Sequence, residues 1–274
     1  MGLRIHSNTA SLTAQRYLSQ VSEELSGSYR RLASGLRVER AADDASGLGV
    51  AMRMQARSRS LQAARGNVRD AQSMAQTMEG ALAEVSGLLV RMRELAVGAS
   101  SGEKSDADRV ASDEEYQALI EEIDRIASNT DFNGIALLDG SEVGVGIQVG
   151  VDAVDVFRLN FHATRASDLD DLDTTRIDRA VWAQEALDNL DNAIGQVSLA
   201  RGSVGADLNR LSSMGRSLEV ARESVESAKS RILDADIAAE SAALARHQIV
   251  QQAAASVLAQ ANVQPQLALQ LLGG

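Results

Sequence analysis

The most regular pattern in the chain is an apolar residue at every seventh position of its carboxyl-terminal half. The repeat consists of Ala183, Leu190, Val197, Val204, Leu211, Leu218, Val225 and Ile232, with Leu187, Ile194 and Leu208 at partner positions. A sustained 3.5-residue period keeps one stripe of a helix facing a neighbouring helix, as in a left-handed coiled coil. The pattern therefore predicts one long helix that packs along its length.

A second seam predicts a partner helix of similar length, from about Asp43 to Gly98. Its apolar positions advance in steps of three and four: Leu61, Ala64, Val68, Ala71, Ala75, Met78, Leu82, Val85, Leu89, Met92 and Ala96. At 1.5 Å per residue such a helix is roughly 80 Å long. We expect the two helices to pack together, with a seam that includes Leu82, Val85, Leu89, Leu190, Val197, Val204, Leu211 and Leu218.

Two shorter helices and a hairpin are also predicted. Residues 8–34 carry the stripe Leu18, Val21, Leu25 and Leu32, and a third helix carries Tyr116, Leu119, Ile123 and Ile126. Strict alternation of apolar and polar residues over 142–151 and 157–161 predicts a β-hairpin. Residues 163–175 read as a polar loop, and their aspartates as solvated side chains.

The last helix, predicted over about 236–262, has almost no polar face. Residues 241–274 contain a single full charge, Arg246, among Ala, Gln, Leu and Val. An apolar helix of this kind must be surrounded by other helices, and the amino-terminal stripe can cover only one side of it. We therefore expect neighbouring copies to cover the rest, through Leu18, Val21, Leu25, Leu32, Ile249, Val257, Leu258, Leu267, Leu269 and Leu271.

These patterns predict a mainly α fold, a long antiparallel helical bundle or coiled coil with a small β-hairpin and paired terminal helices. We expect residues 1–42 and 236–274 to form a discontinuous terminal domain. Residues 43–235 would form the bundle, with the hairpin at about 141–162.

The sequence offers no constellation for catalysis, metal binding or a cofactor. Cysteine is absent, and the three histidines have no metal-ligand spacing. The Asp43–Asp44 pair at a helix start is typical of capping. The chain has a net charge of −11, and its basic first quarter contains two aromatic residues, Tyr17 and Tyr29, which are few for stacking on bases. We predict neither enzymatic activity, nucleic-acid binding nor membrane insertion.

Two sets of motifs, one in each half of the chain, resemble bacterial flagellin. The first half contains SLTAQRYL, RLASGLRVERAADDASGLG, EGAL, RMRELAV and EIDRIASNTDFNGIALLDG; the second contains GADLNRL, SRILDADIAAE and QIVQQAAASVLAQANVQPQLALQLL. The motifs stand in the family's order and cover nearly all of the chain outside residues 141–180. No room remains for large outer domains, so the chain resembles a minimal flagellin.

The resemblance implies a secreted structural subunit that polymerises into the extracellular filament used for swimming. It implies a homo-oligomer of many copies. It also implies contacts with the flagellar export apparatus, a secretion chaperone, the filament cap and hook-junction proteins. A hook–filament junction protein remains an alternative, as does an adhesin or secreted enzyme on a flagellin scaffold. The complete carboxyl-terminal motif and the absence of a catalytic insert favour the filament subunit.

The resemblance also points to a surface that an innate flagellin receptor could detect. Arg91, Leu95 and Glu115 match the family there, whereas Val90 and Gly98 stand where detected flagellins usually carry Gln. We therefore expect weak recognition by that receptor.

Overall fold

The computed structural model describes residues 8–272, with side chains as far as Val263. Within this range the elements follow one another along the chain as five α-helices, four short strands and one 3₁₀ turn. The helices are α1 (Thr9–Ser34), α2 (Ala45–Ser100), α3 (Asp106–Asn129), α4 (Ala180–Leu233) and α5 (Ile237–Leu272); the strands are β1 (Asp131–Phe132), β2 (Ile135–Ala136), β3 (Gly144–Gln148) and β4 (Val156–Asn160). The predicted mainly α fold is confirmed.

Polar side chains fix where the helices begin. Asn8 accepts a hydrogen bond from the Ser11 backbone at the start of α1, and Ser105 and Asp108 cap α3 reciprocally. Asp44 accepts the Gly47 backbone N–H at 2.8 Å, whereas Asp43 binds backbone N–H groups of the preceding turn. Only the second aspartate of the pair therefore caps α2.

A buried arginine fixes the turn between α2 and α3. Arg109 donates to the carbonyl oxygens of Ala99 and Ser101, each at 2.9 Å, and pairs with Asp106 at 2.9 Å. Carbonyl groups at the end of a helix have no partner within the helix. Arg109 satisfies the carbonyl of Ala99 near the helix end and holds that of Ser101 in the following turn, and thereby directs the chain back along α2.

Of the two antiparallel hairpins, only the longer one was predicted from the sequence. β3 and β4 pair in register from Gly144 opposite Asn160 to Gln148 opposite Val156, which confirms the predicted hairpin. The two-residue pair β1–β2 was not predicted, because strands that short have no readable alternation. Asn133 and Gly134 form its turn in the left-handed region.

The chain divides into two compact units. One contains residues 1–56 and 224–274, and the other residues 57–223. These limits lie inside α2 and α4, beyond the helix ends where the sequence analysis placed the domain boundaries. The assignment of 1–42 with 236–274 to a filament core and of 43–235 to a bundle stays a prediction.

Residues 57–223 enclose a core made by α2, α3, α4 and the segments between them. Ion pairs Arg65–Glu219, Glu79–Arg201 and Arg93–Asp191 show that α2 and α4 run antiparallel. The β3–β4 hairpin is attached to both helices. Asn67 donates to the Gln148 carbonyl at 2.9 Å, and Arg210 lies 4.7 Å from the centre of the Phe157 ring.

The prediction of a solvated polar loop at 163–175 is confirmed only for its aspartates: Asp168, Asp171 and Asp173 are exposed, but the segment also contributes to the core. Ala166, Leu169 and Leu172 are almost fully buried in this segment, and Leu172 begins the 3₁₀ turn. Its backbone is held by side chains of α3, since Asp124 accepts from the Ala166 N–H at 2.8 Å. The buried residues are spaced by three among aspartates, which concealed them in the sequence.

The last helix is longer than predicted. Its end was predicted near residue 262, whereas α5 continues to Leu272. Pro265 lacks one N–H donor, but the helix continues on both sides of it.

Candidate self-assembly surface

The terminal helices α1 and α5 pack against each other along a narrow seam. On α1 the inward positions are Ser11, Ala14, Leu18, Val21, Leu25 and Ser28; on α5 they are Glu240, Leu244, His247, Gln251, Ala254, Leu258 and Ala261. Both sets advance in alternating steps of three and four, which is the spacing of a two-helix seam. Most of these side chains are small or polar, so the helices can approach closely but bury little apolar area.

Hydrogen bonds between side chains set the register of this pair. Ser11 donates to the Asn262 side chain at 2.7 Å and Gln251 donates to Ser22 at 3.2 Å. Further along, Gln248 donates to the Tyr29 hydroxyl at 2.9 Å. The partner numbers fall on α5 as they rise on α1, so the helices are antiparallel.

An ion pair closes the far end of the seam. The Arg31 Nη2 and Glu240 Oε1 atoms lie 2.8 Å apart, and the Glu240 side chain is 16% exposed. This hydrogen bond lowers the pKa of Glu240 and raises the pKa of Arg31. The charged forms of both groups are therefore favoured by the pairing of α1 with α5.

Beyond the ion pair, two connecting segments are tied through their backbones. Gly35 ends α1 in the left-handed region, at φ 72°, and its carbonyl accepts the Ala235 N–H at 2.9 Å. Leu36 and Asp234 form an antiparallel bridge, and Arg37 donates from both backbone and side chain to carbonyls of Leu233 and Ile232. We call residues 35–38 with 232–235 the linker clamp.

The outer faces of the pair are apolar and open to water. Ile249 is 67% exposed, Val257 59%, Leu12 58% and Tyr17 63%. A shallow groove of about 620 Å³ lies between the helices, lined among others by Ala10, Tyr17, Ala253 and Val257. Exposed apolar side chains around an apolar groove are typical of a surface that another protein covers.

The predicted assembly residues fall into different classes. Val21 and Leu25 are buried between α1 and α5, while Leu18, Leu32 and Leu258 are half-buried. Ile249 and Val257 face outward and are available to a second copy. Leu267, Leu269 and Leu271 lie beyond the last side chain that the structure describes, so their role stays a prediction.

The eight predicted seam residues of the bundle are all buried. Leu82, Val85, Leu89, Leu190 and Leu211 have no measurable exposure, Val197 and Val204 have 1%, and Leu218 has 8%. Sequence reasoning found them because a dry aliphatic seam repeats without interruption.

The three residues of the predicted receptor surface lie close together. Arg91 and Glu115 are both exposed and pair at 2.8 Å, and Glu94 also binds Arg91 at 3.1 Å. Leu95 lies one turn further along α2 and is half-buried. Their recognition by a receptor stays a prediction.

The polar residues of the terminal seam were not predicted from the sequence. Ser11, Ser28, Gln251 and Glu240 occupy inward positions with the same spacing as the apolar ones. A search for apolar stripes passes over them. A search for small or uncharged residues at heptad positions would have found most of the seam.

Other kinds of site lack support in the part of the chain that the structure describes. Over these residues no group of three or more potential ligands is placed to hold a metal ion. Nor does any described helix have the length and hydropathy to cross a membrane.

Comparison with protein families and relatives matches both halves of the chain. Residues 5–143 match the family model described as the bacterial flagellin N-terminal helical region, and residues 187–272 match the bacterial flagellin C-terminal helical region. A flagellin from Halalkalibacterium halodurans is 39% identical over 98% of this chain and 99% of its own. A flagellin from Bacillus subtilis is 35% identical over 98% of this chain and 100% of its own.

Solved structures agree at the level of the fold. The crystal structure of Bacillus cereus flagellin superimposes with a TM-score of 0.52 and 31% identity, covering 56% of this chain and 88% of that one. A putative flagellar hook-associated protein from Vibrio parahaemolyticus gives a TM-score of 0.60 over 70% of this chain and all of its own. Its identity is 15%, so that second likeness concerns the fold alone.

Proposed function

The chain belongs to the bacterial flagellin family. We propose that its terminal helices build the filament. The protein is a structural subunit of the extracellular flagellar filament and not an enzyme. Its 274 residues align nearly end to end with a flagellin of similar length, which fits a short form of that subunit. Its task is mechanical: many copies polymerise into the filament that the motor rotates.

The observation that carries the proposed mechanism is the difference in burial between the inner and outer faces of α1 and α5. Their inner faces pack against each other, while Leu12, Tyr17, Ile249 and Val257 on the outer faces remain at least 58% exposed. Removing such side chains from water is favourable by about 25 cal/mol per Å². A single copy cannot gain this free energy, whereas a copy surrounded by others can. The outer faces therefore act as the assembly surface.

Export and delivery extend this proposal. A subunit of an external filament has to reach the growing end, and the family resemblance supplies the partners: the export apparatus, a secretion chaperone, the filament cap and hook-junction proteins. The open apolar faces of α1 and α5 are the surface that such a chaperone would cover before assembly. The junction-protein alternative has no observation in its favour beyond the 15% identical fold neighbour.

Removal of residues 242–274 tests the assembly mechanism. The truncated chain loses most of α5 but keeps the buried seam of the bundle, which lies within residues 57–223. We expect it to remain helical and to melt cooperatively by circular dichroism, yet to form no filaments by sedimentation and negative-stain microscopy.

Two results would contradict the mechanism. Normal filaments from the truncated chain would show that α5 is dispensable for assembly. A truncated chain without helical structure would show that the bundle does not fold independently of the terminal pair. The full-length protein, prepared in parallel, is the control for polymerisation.

A further inference from the structure

Charge is distributed unevenly along the unit formed by residues 57–223. At one level, residues 57–78 of α2 and 206–223 of α4 contain seven arginines and four acidic residues. We call these residues the basic segment. Residues 101–130, which include α3, contain nine acidic and three basic residues. We call them the acidic segment.

Ion pairs place the two segments at different levels of the bundle. Arg65 pairs with Glu219 at 3.0 Å within the basic segment. Arg91, 26 positions further along α2, pairs with Glu115 of the acidic segment at 2.8 Å. A rise of 1.5 Å per residue separates these two levels by about 40 Å. At physiological salt the screening length is about 8 Å, so the segments do not neutralise each other within one copy.

Part of this charge is free to meet a partner. Arg59, Arg69 and Arg216 of the basic segment are exposed, and no ion pair is formed by them among residues 8–263. Over the same residues, Glu103, Glu114 and Glu121 of the acidic segment are exposed and form no ion pair either. Also exposed without an ion pair among residues 8–263 are Arg57, Asp70 and Glu223 of the basic segment and Lys104 and Asp108 of the acidic segment. Each segment therefore offers unpaired charges that are predominantly of one sign.

We propose that the basic segment of one copy docks against the acidic segment of the next copy, displaced lengthwise by about 40 Å. This inference rests on the proposed filament function and names one of its subunit contacts. The contact is heterologous, because different surfaces of the two copies meet. A heterologous contact repeats without closing on itself, which is what an open helical polymer requires.

A second copy fits the basic segment better than nucleic acid does. The complementary acidic surface is present in every copy at a fixed distance along the bundle. The basic segment contains no aromatic residue within its two ranges, so it has no side chain on which a base could stack. The whole chain is acidic, with a net charge of −11, and would be repelled by a polyanion.

Charge reversal in two separate variants tests the contact. The first variant carries Arg59→Glu, Arg69→Glu and Arg216→Glu; the second carries Glu103→Lys, Glu114→Lys and Glu121→Lys. All six positions are exposed, so both proteins should keep the helical signal and melting temperature of wild type. The critical concentration for assembly is measured by sedimentation at 50 mM and 500 mM NaCl.

We expect each variant alone to raise the critical concentration at low salt by about tenfold or more, because like charges then face each other. An equimolar mixture of the two should recover assembly, since alternating copies bring opposite charges together at every contact. High salt should raise the critical concentration of wild type and reduce the difference between wild type and either variant.

The outcomes separate this contact from the general mechanism. If wild type polymerises and both variants do so equally well, the charged contact is absent while the assembly surface on α1 and α5 stands. If each variant is defective and the mixture does not recover, the defect has another cause and the proposal is overturned. If wild type itself forms no filament, the proposed function fails. If the basic segment bound DNA and not the acidic segment of another copy, the choice of partner would likewise be overturned.

Discussion

The bundle seam and the terminal seam have the same heptad spacing but differ in residue type and in the apolar surface left exposed beside them. In the bundle, α2 and α4 meet through Leu, Val, Met and Ala that are almost completely buried. In the terminal pair, α1 and α5 meet through Ser, Ala, Gln and an ion pair among a few Leu and Val, and further large apolar residues face outward. One seam is complete within a copy, and the other leaves apolar surface for neighbours. Heptad spacing thus shows where helices meet, while the residue types show whether the contact ends with that pair.

The largest effect is expected from a charge in the bundle seam. Val204 is 1% exposed, and Val204→Asp would bury a carboxylate without a partner. We expect unfolding to become easier by about 3–5 kcal/mol, which lowers the melting temperature of the monomer by about 10 °C. Leu199→Asp on the same helix is the matched control, because Leu199 is 77% exposed. Equal melting of both variants would mean that Val204 is not part of a closed core.

The next effect should separate assembly from folding. Ile249→Asp and Val257→Asp place charges on the outer face of α5, where both residues are more than half exposed. The monomer should melt within about 0.5 kcal/mol of wild type. The critical concentration should rise at least about tenfold, since the charges must be buried in the filament. Exposed Val154 of the hairpin turn, replaced in the same way, serves as the control. A Val154→Asp defect as large as that of Ile249→Asp would remove the distinction between the two regions.

The bundle seam could be predicted from the sequence, whereas the polar part of the terminal seam could not. The long helices, the buried bundle seam and the β3–β4 hairpin were readable, since apolar periodicity is strong where a surface is buried within one copy. The polar positions on the inner face of α5, Gln251 and Glu240, were not readable in this way. Nor was the buried spacing of Ala166 and Leu169 among aspartates. In both cases the decisive contacts come from residues distant in sequence, and local pattern does not record them.

A smaller effect on assembly is expected from the Arg31–Glu240 ion pair when the pH is lowered. The Arg31 hydrogen bond lowers the pKa of Glu240 from its ordinary value of 4.5, so the pair stabilises the α1–α5 seam above that value and loses its contribution as pH falls through the lowered pKa. Glu240→Gln should weaken assembly at pH 7 by less than about 1 kcal/mol, because the pair is partly exposed. Its critical concentration should converge with that of wild type below the lowered pKa. A constant difference from pH 7 to pH 2 would exclude this ion pair as the cause.

The smallest structural effect is expected on the receptor surface. Val90 is 49% exposed and adjacent to Arg91, so Val90→Gln should leave melting unchanged. The wild-type monomer should activate a reporter cell carrying the innate flagellin receptor only weakly, and Val90→Gln should increase the signal. Arg91→Ala is the control that should abolish what remains. Full potency of wild type would show that an apolar residue at position 90 does not limit recognition.

The linker clamp has a mechanical consequence for a rotating polymer. Its two segments run antiparallel, with Gly35 bound to Ala235 and Leu36 bridged to Asp234. The end of one segment that continues into α1 therefore lies beside the end of the other that continues into α5. Tension applied through both terminal helices acts on two covalent connections. The hydrogen bonds between these connections oppose the extension of one without the other. Neither connection can then extend far without breaking its hydrogen bonds to the other.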